Sequence, residues 1–136
     1  MKKIFFLLLV SLFCLKGFAQ IEKLDSTYIY IDKDLVVLGI NSNTTDEQLL
    51  DIRTRLLKYS TIRFTEFDVI REQTNEKDKK GKIQFISMEV DCRDGYVGKI
   101  SHSFEKGDTS TWGFYRNYEK NSYKRAFYIG QLLKGK

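Results

Sequence analysis

Residues 83–103, IQFISMEVDCRDGYVGKISHS, constrain the fold more than any other stretch of the chain. Ile86, Met88, Val90 and Cys92 alternate with Ser87, Glu89 and Asp91. A period of two with one apolar side demands a strand buried on one face. Arg93-Asp94-Gly95 then turns the chain, and a return strand follows. A two-residue turn at Asp94-Gly95 sets Val90 opposite Lys99 and Met88 opposite Ser101, a mismatch of faces. A three-residue loop, with Gly95 left-handed after a type I turn, pairs Cys92 with Tyr96. It brings Val90 to Gly98, Met88 to Ile100 and Ile86 to His102. A slip of one residue would turn every apolar side chain to water, so the second register is selected.

That register bears on chemistry. Cys92 and His102 are the only cysteine and the only histidine after residue 19. On the hairpin they stand six residues apart along the strands, roughly 20 Å at about 3.3 Å per residue. Thiolate–imidazole catalysis needs approach to about 3 Å. A shared zinc ion needs both ligands at about 2.0–2.3 Å, with more ligands besides. Neither a thiol enzyme nor a metal centre is therefore expected, and no cofactor is implied. Cys92 is expected to face the core beside Tyr96, with His102 far up the same face.

The remaining segments supply one helix and more strands. Thr45 and Gln48 have capping-box spacing, as do Thr44 and Glu47 one residue earlier, Asp46 and Glu47 suit a helix N-terminus, and Leu49, Ile52 and Leu56 recur at three and four. Leu50 and Leu57 flank that stripe, and Asp51 and Arg55 are set for an i,i+4 pair. "DLVVLGI" (residues 34–40) reads as a strand, with a shorter one before it in "STYIYIDKD" (residues 26–34). In "STIRFTEFDVIRE" (residues 60–72) the apolar parity slips between Phe64 and Phe67, which predicts a bulge or a bend in the strand. Residues 72–82 are polar and read as the loop of a long hairpin. "TWGFYRNY" (residues 111–118) is a further strand, and the tail around Phe127 and Tyr128 is read as strand over helix. The predicted fold is α+β: one amphipathic helix packed on an antiparallel sheet of about four or five strands.

The first residues set the destination. Lys2 and Lys3 precede an apolar run from Ile4 to Leu15, and Gly17 and Ala19 provide small residues before Gln20. This is the form of a secretory signal peptide, so residues 1–19 are read as signal and 20–136 as a single α+β domain. The run is too short to span a bilayer, which needs roughly 20 apolar residues. With the signal removed, Lys2, Lys3 and Lys16 are lost and the formal charge drops from +5 to +2. So small an excess offers no basis for a nucleic-acid partner. No later segment is apolar enough to span a membrane. The destination is periplasmic or secreted.

Aromatic residues are the remaining signal. Nine of the fifteen that follow residue 19 lie beyond position 95. Trp112, Phe114, Tyr115, Arg116 and Tyr118 are the candidate binding residues, a surface of rings and cations suited to an envelope protein, peptide or glycan. Glu89 and Asp91, about 7 Å apart on one strand face, offer the alternative of a small carboxylate-based hydrolase. No nucleophile-elbow, phosphate-loop or zinc-protease motif is present.

From Val37 to about Val90, the helix-opening "INSNTTDEQL", Ile52 and Leu56, "IRF" with Val69, and "GKI" before the alternating strand carry a resemblance. The stretch resembles a small extracytoplasmic domain of exported Gram-negative bacterial proteins. That domain also forms the tail of membrane metallopeptidases related to beta-lactam sensors. The peptidase part has no counterpart here, and no catalytic residue carries over. The resemblance implies an envelope domain with a sensory, accessory or partner-binding role.

Overall fold

The computed structural model describes residues 28–120 and 125–135. The segment read as a signal peptide, and Tyr123 of the aromatic tail, lie outside them. In chain order the elements are β1 (Ile29–Ile31), β2 (Leu35–Ile40), α1 (Asp46–Tyr59), β3 (Arg63–Arg71), β4 (Ile83–Asp91), β5 (Val97–Ser103), β6 (Thr111–Asn117) and β7 (Phe127–Leu133). Among the described residues, one helix with antiparallel strands agrees with the α+β class.

The single sheet expected from the sequence is replaced by two. β1-β2-β6-β7 form a four-stranded sheet and β3-β4-β5 a three-stranded one. The physical reason lies in β2 and β6. Leu38 pairs with Phe114 and Ile40 with Trp112, so β6 leaves its sequence neighbour β5 and joins a strand from the start of the chain. Both sheets and the helix feed one core. Val36, Leu38, Ile40 and Phe114 from one sheet meet Ile86, Met88 and Val90 from the other, with Leu49, Ile52 and Leu56 from α1. Burial of each such side chain contributes about 1.5–3 kcal/mol.

The hairpin register holds. Ile86 pairs with His102, Met88 with Ile100 and Val90 with Gly98, and Cys92 N–H donates to Tyr96 O at 2.9 Å. Gly95 is left-handed at φ 98°, but so is Arg93 at φ 60°, so the loop is not the plain type I turn expected. Arg93 N–H donates to Asp91 Oδ1 at 2.7 Å, which ties down the residue carrying that strain. Of the two capping-box spacings, Thr45 and Gln48 is the one used, exchanging both bonds, and Arg55 lies 3.7 Å from Asp51. The bulge falls between Phe64 and Glu66, and the tail is strand β7. Leu50 and Leu57 do not join the core; they stand 67% and 61% exposed.

The two sheets approach where β5 meets β7. A Cβ on Gly98 would come within 2.6 Å of Ile129 Cγ2 and 2.9 Å of Phe127 Cε1, so only glycine permits this approach. At the other edges the helix makes the links. Tyr28, just before β1, donates to Asp51 at 2.7 Å. From β3, Arg71 Nε donates to Asp46 Oδ1 at 3.0 Å. Helix α1 thus ties β1 of one sheet to β3 of the other.

Candidate functional site

Period-two alternation divides the five candidate binding residues between two faces. Phe114 is fully buried in the core, so it presents no contact surface. Trp112 and Arg116 share its side of β6, which is the core side, while Tyr115 points the other way. There Tyr115 stacks on Tyr128 at 5.7 Å between ring centroids. The alternation was legible, but the side shared by Trp112 and Phe114 is the interior. The five do not converge on one surface.

Arg116 is a structural cation. It is 9% exposed, and its guanidinium lies 4.4 Å from the Tyr96 ring centroid and 4.5 Å from that of Tyr118. Nε and Nη2 donate to Asp94 Oδ2 at 2.9 and 2.7 Å. Nη1 donates to the carbonyls of Asn117 and Ala126. The hairpin tip is thereby fastened to β6 and to the start of β7. Cys92 lies nearby, fully buried. Burial pushes its thiol up to about 11, with Asp94 adding to the rise. A thiol so raised is a poor nucleophile at neutral pH.

His102 makes its contacts elsewhere. Its ring stacks on Trp112 at 4.0 Å, and its Nε2 lies 2.9 Å from Asp108 Oδ2. Ser110 N–H donates to Asp108 Oδ1 at 2.8 Å, and Trp112 Nε1 donates to Ser110 Oγ at 2.8 Å. The Ser110 hydroxyl, the Ser110 amide and then His102 hold the Asp108 carboxyl below its ordinary range. The serine serves the aspartate and the indole rather than the imidazole, so no nucleophile–base pair is built. The cluster closes the 104–110 loop upon itself.

The two acids of the hydrolase alternative lie on the outward face of the β3-β4-β5 sheet. Glu89 accepts from Thr65 at 3.0 Å and lies 3.9 Å from Lys99. Asp91 receives the Arg93 amide. Neither lines any of the clefts described here.

A different place gathers uncommitted chemistry. Between α1 and the outer edge of β3 runs a groove of about 340 Å³, in the size range of ligand sites. Leu56, Ile62, Phe64 and Phe67 provide apolar lining, Leu57 stands at the rim, and Arg53 and Arg63 add two guanidiniums. Arg53 lies over the Phe67 ring at 4.7 Å and reaches Phe67 O only at 3.5 Å. Arg63 Nη1 donates to Ser60 O and Ile62 O, both at 2.8 Å, at the negative end of α1. Among the described residues neither has a carboxylate within ion-pair distance. The acid in the lining, Glu66, is committed: it accepts from Ser87 at 2.8 Å and Lys99 at 2.5 Å. Lys99 and then Ser87 hold its carboxyl low.

Two other clefts contrast with this one. They flank the 72–82 loop and share Asp46, Arg71 and Lys80. Asp46 takes both cations, and Lys80 followed by Arg71 holds it ionised. Arg71 also donates to Thr44 O and Gly81 O. These three charges are spent on fastening the loop to the helix.

Sequence reasoning missed the groove, although one signal was available. Arg53 has leucines at 49, 50, 56 and 57, every position three or four residues away on the helix. It has no i,i+4 acid, whereas Arg55 has Asp51. No protein-family model, curated protein or solved structure matches the chain.

Proposed function

We propose that this chain is an exported, non-enzymatic envelope protein, periplasmic or secreted, that acts as a binding or accessory module. Its site is the α1–β3 groove, and its partner is a protein or peptide. The signal-like residues 1–19 support export. No described helix is long and apolar enough to cross a membrane. The observation that carries the binding reading is the pair Arg53 and Arg63, without a carboxylate partner among the described residues, over an apolar lining beside exposed Leu57. A ligand with an apolar stem and an anionic group completes this arrangement.

The test is selection of peptides from a random display library on the exported protein, followed by amide chemical-shift mapping. Shifts are expected at Leu57, Phe64 and Phe67. Shifts centred on Tyr115 and Tyr128 would move the site to the aromatic face, where the stacked pair and Arg125, 5.6 Å from the Tyr128 ring, suit a glycan or peptide. Failure to select any binder would overturn the binding-module reading.

A further inference from the structure

We infer that the groove receives an extended acidic peptide, which adds as a short strand to the open edge of β3 and places a carboxylate at Arg53. This rests on the groove reading above and names the partner chemistry. The first support is topological. β3 ends the order β3-β4-β5, so among the described residues its second edge has no strand partner. Such an edge presents backbone donors and acceptors to an extended chain. The second is the position of the helix. The groove runs along residues 62–67, at and just before the start of β3, with Arg53, Leu56 and Leu57 as its opposite wall. A ligand strand there has backbone partners on one side and a side-chain wall on the other. Phe64 to Phe67 spans roughly 10 Å, and the bulge interrupts the edge, so the added strand is three or four residues long.

Charge selects the peptide. The guanidinium of Arg53 touches the groove only through an aromatic face and one carbonyl at the limit of hydrogen bonding. A carboxylate would take the stronger, charge-assisted bond that is missing. Glu66 does not compete, because Lys99 and Ser87 hold it. A second copy of this chain is the poorer occupant. Two β3 strands paired antiparallel about Phe67 would set Glu66 against Asp68 and Arg63 against Arg71. Like charges directly opposed on a sheet are repulsive.

The experiment uses the chain as exported and processed by the cell. Fluorescence anisotropy is measured for a labelled hexapeptide of alternating glutamate and leucine. It is compared with its lysine–leucine counterpart, with the same acidic peptide N-methylated at alternate residues, and with laurate as competitor. The acidic peptide is expected to bind, and the lysine peptide and the N-methylated peptide each to bind at least about tenfold more weakly. R53E should abolish binding and R53K retain part of it, with the near-ultraviolet signal of Trp112 unchanged in both. If the N-methylated peptide and laurate match the parent yet remain sensitive to R53E, strand addition is wrong and the groove reading survives. If no acidic ligand binds, or R53E changes nothing, the groove reading fails with it. A dimer that blocks the groove and dissociates in R53E would replace the peptide by a second copy.

Discussion

Arg116 and Arg53 are the same side chain put to opposite uses. Arg116 is buried between Tyr96 and Tyr118, and every direction of its guanidinium is answered: Asp94 on one side, the carbonyls of Asn117 and Ala126 on another. Arg53 is exposed, has a ring on one face, and reaches one carbonyl at 3.5 Å. A buried cation must be neutralised by the protein itself, because water is absent. An exposed cation beside apolar surface is solvated by water and stays free to pair with another molecule. The difference distinguishes a group that holds the fold from a group available for contact, and each prediction below is a way to break that distinction.

The largest effects belong to the caged side and the core beside it. Arg116→Ala would leave Asp94 and two carbonyls facing a void between tyrosine rings. It should cost about 3 kcal/mol of unfolding free energy, after allowance for the part-exposure of Asp94. Phe114→Ala, in the core beneath it, should cost about 3–5 kcal/mol. Urea denaturation measures both. A loss under about 0.5 kcal/mol for Arg116→Ala would show that the cage does not hold the hairpin tip.

Cys92 tests the same corner without a mutation. Its thiol is pushed up to about 11. A raised acid is stabilised in its neutral form. Its contribution to stability is therefore complete below the unfolded thiol's value, about 8.5, and is lost as pH rises toward 11. A disulfide reagent at about pH 8 should modify native protein at least tenfold more slowly than protein in guanidinium. Equal rates would mean that the corner opens freely.

A smaller, pH-dependent effect is expected at Asp108. The Ser110 hydroxyl and amide, then His102, depress its carboxyl in the folded state. The stability this brings is present above the unfolded value, about 3.9, and is lost as pH falls through the lower folded value. Asp108→Asn should cost about 1–2 kcal/mol at neutral pH, and the difference from the parent should vanish toward acid. A difference that stayed constant down to about pH 2 would exclude the carboxylate as its source.

The sequence was most informative where one physical rule acts locally. Hairpin register followed from apolar parity at Ile86, Met88 and Val90. The helix start followed from Thr45 and Gln48, and the bulge from the slip between Phe64 and Phe67. It was silent where pairing is distant. Nothing near Trp112 reveals that β6 pairs with β2 rather than β5, so the division into two sheets was not legible. The same gap misplaced the site. Alternation groups Trp112 with Phe114 but does not say which side is interior; β2 decides that, through Leu38 and Ile40. The groove suffered likewise. Arg53's lack of a helical acid is visible in the sequence. That no carboxylate reaches it from β3 depends on Glu66 having turned to Lys99 on the far face of the sheet.

The smallest expected stability change is the most discriminating. Arg53→Ala removes a ring contact and one marginal hydrogen bond, both at the surface, and should change unfolding free energy by no more than about 0.5 kcal/mol. Leu57→Glu should be equally mild, because 61% of Leu57 already meets water. Both should nevertheless remove ligand binding at the groove. A cost for Arg53→Ala near that of Arg116→Ala would mean that Arg53, too, is a structural staple between α1 and β3. The two arginines would then be alike, and the groove would be a seam of the fold rather than a place for a partner. A double substitution of Arg53 and Arg116 sharpens the point. The sites share no contacts, so the stability losses should add, and the whole sum should be that of Arg116 alone.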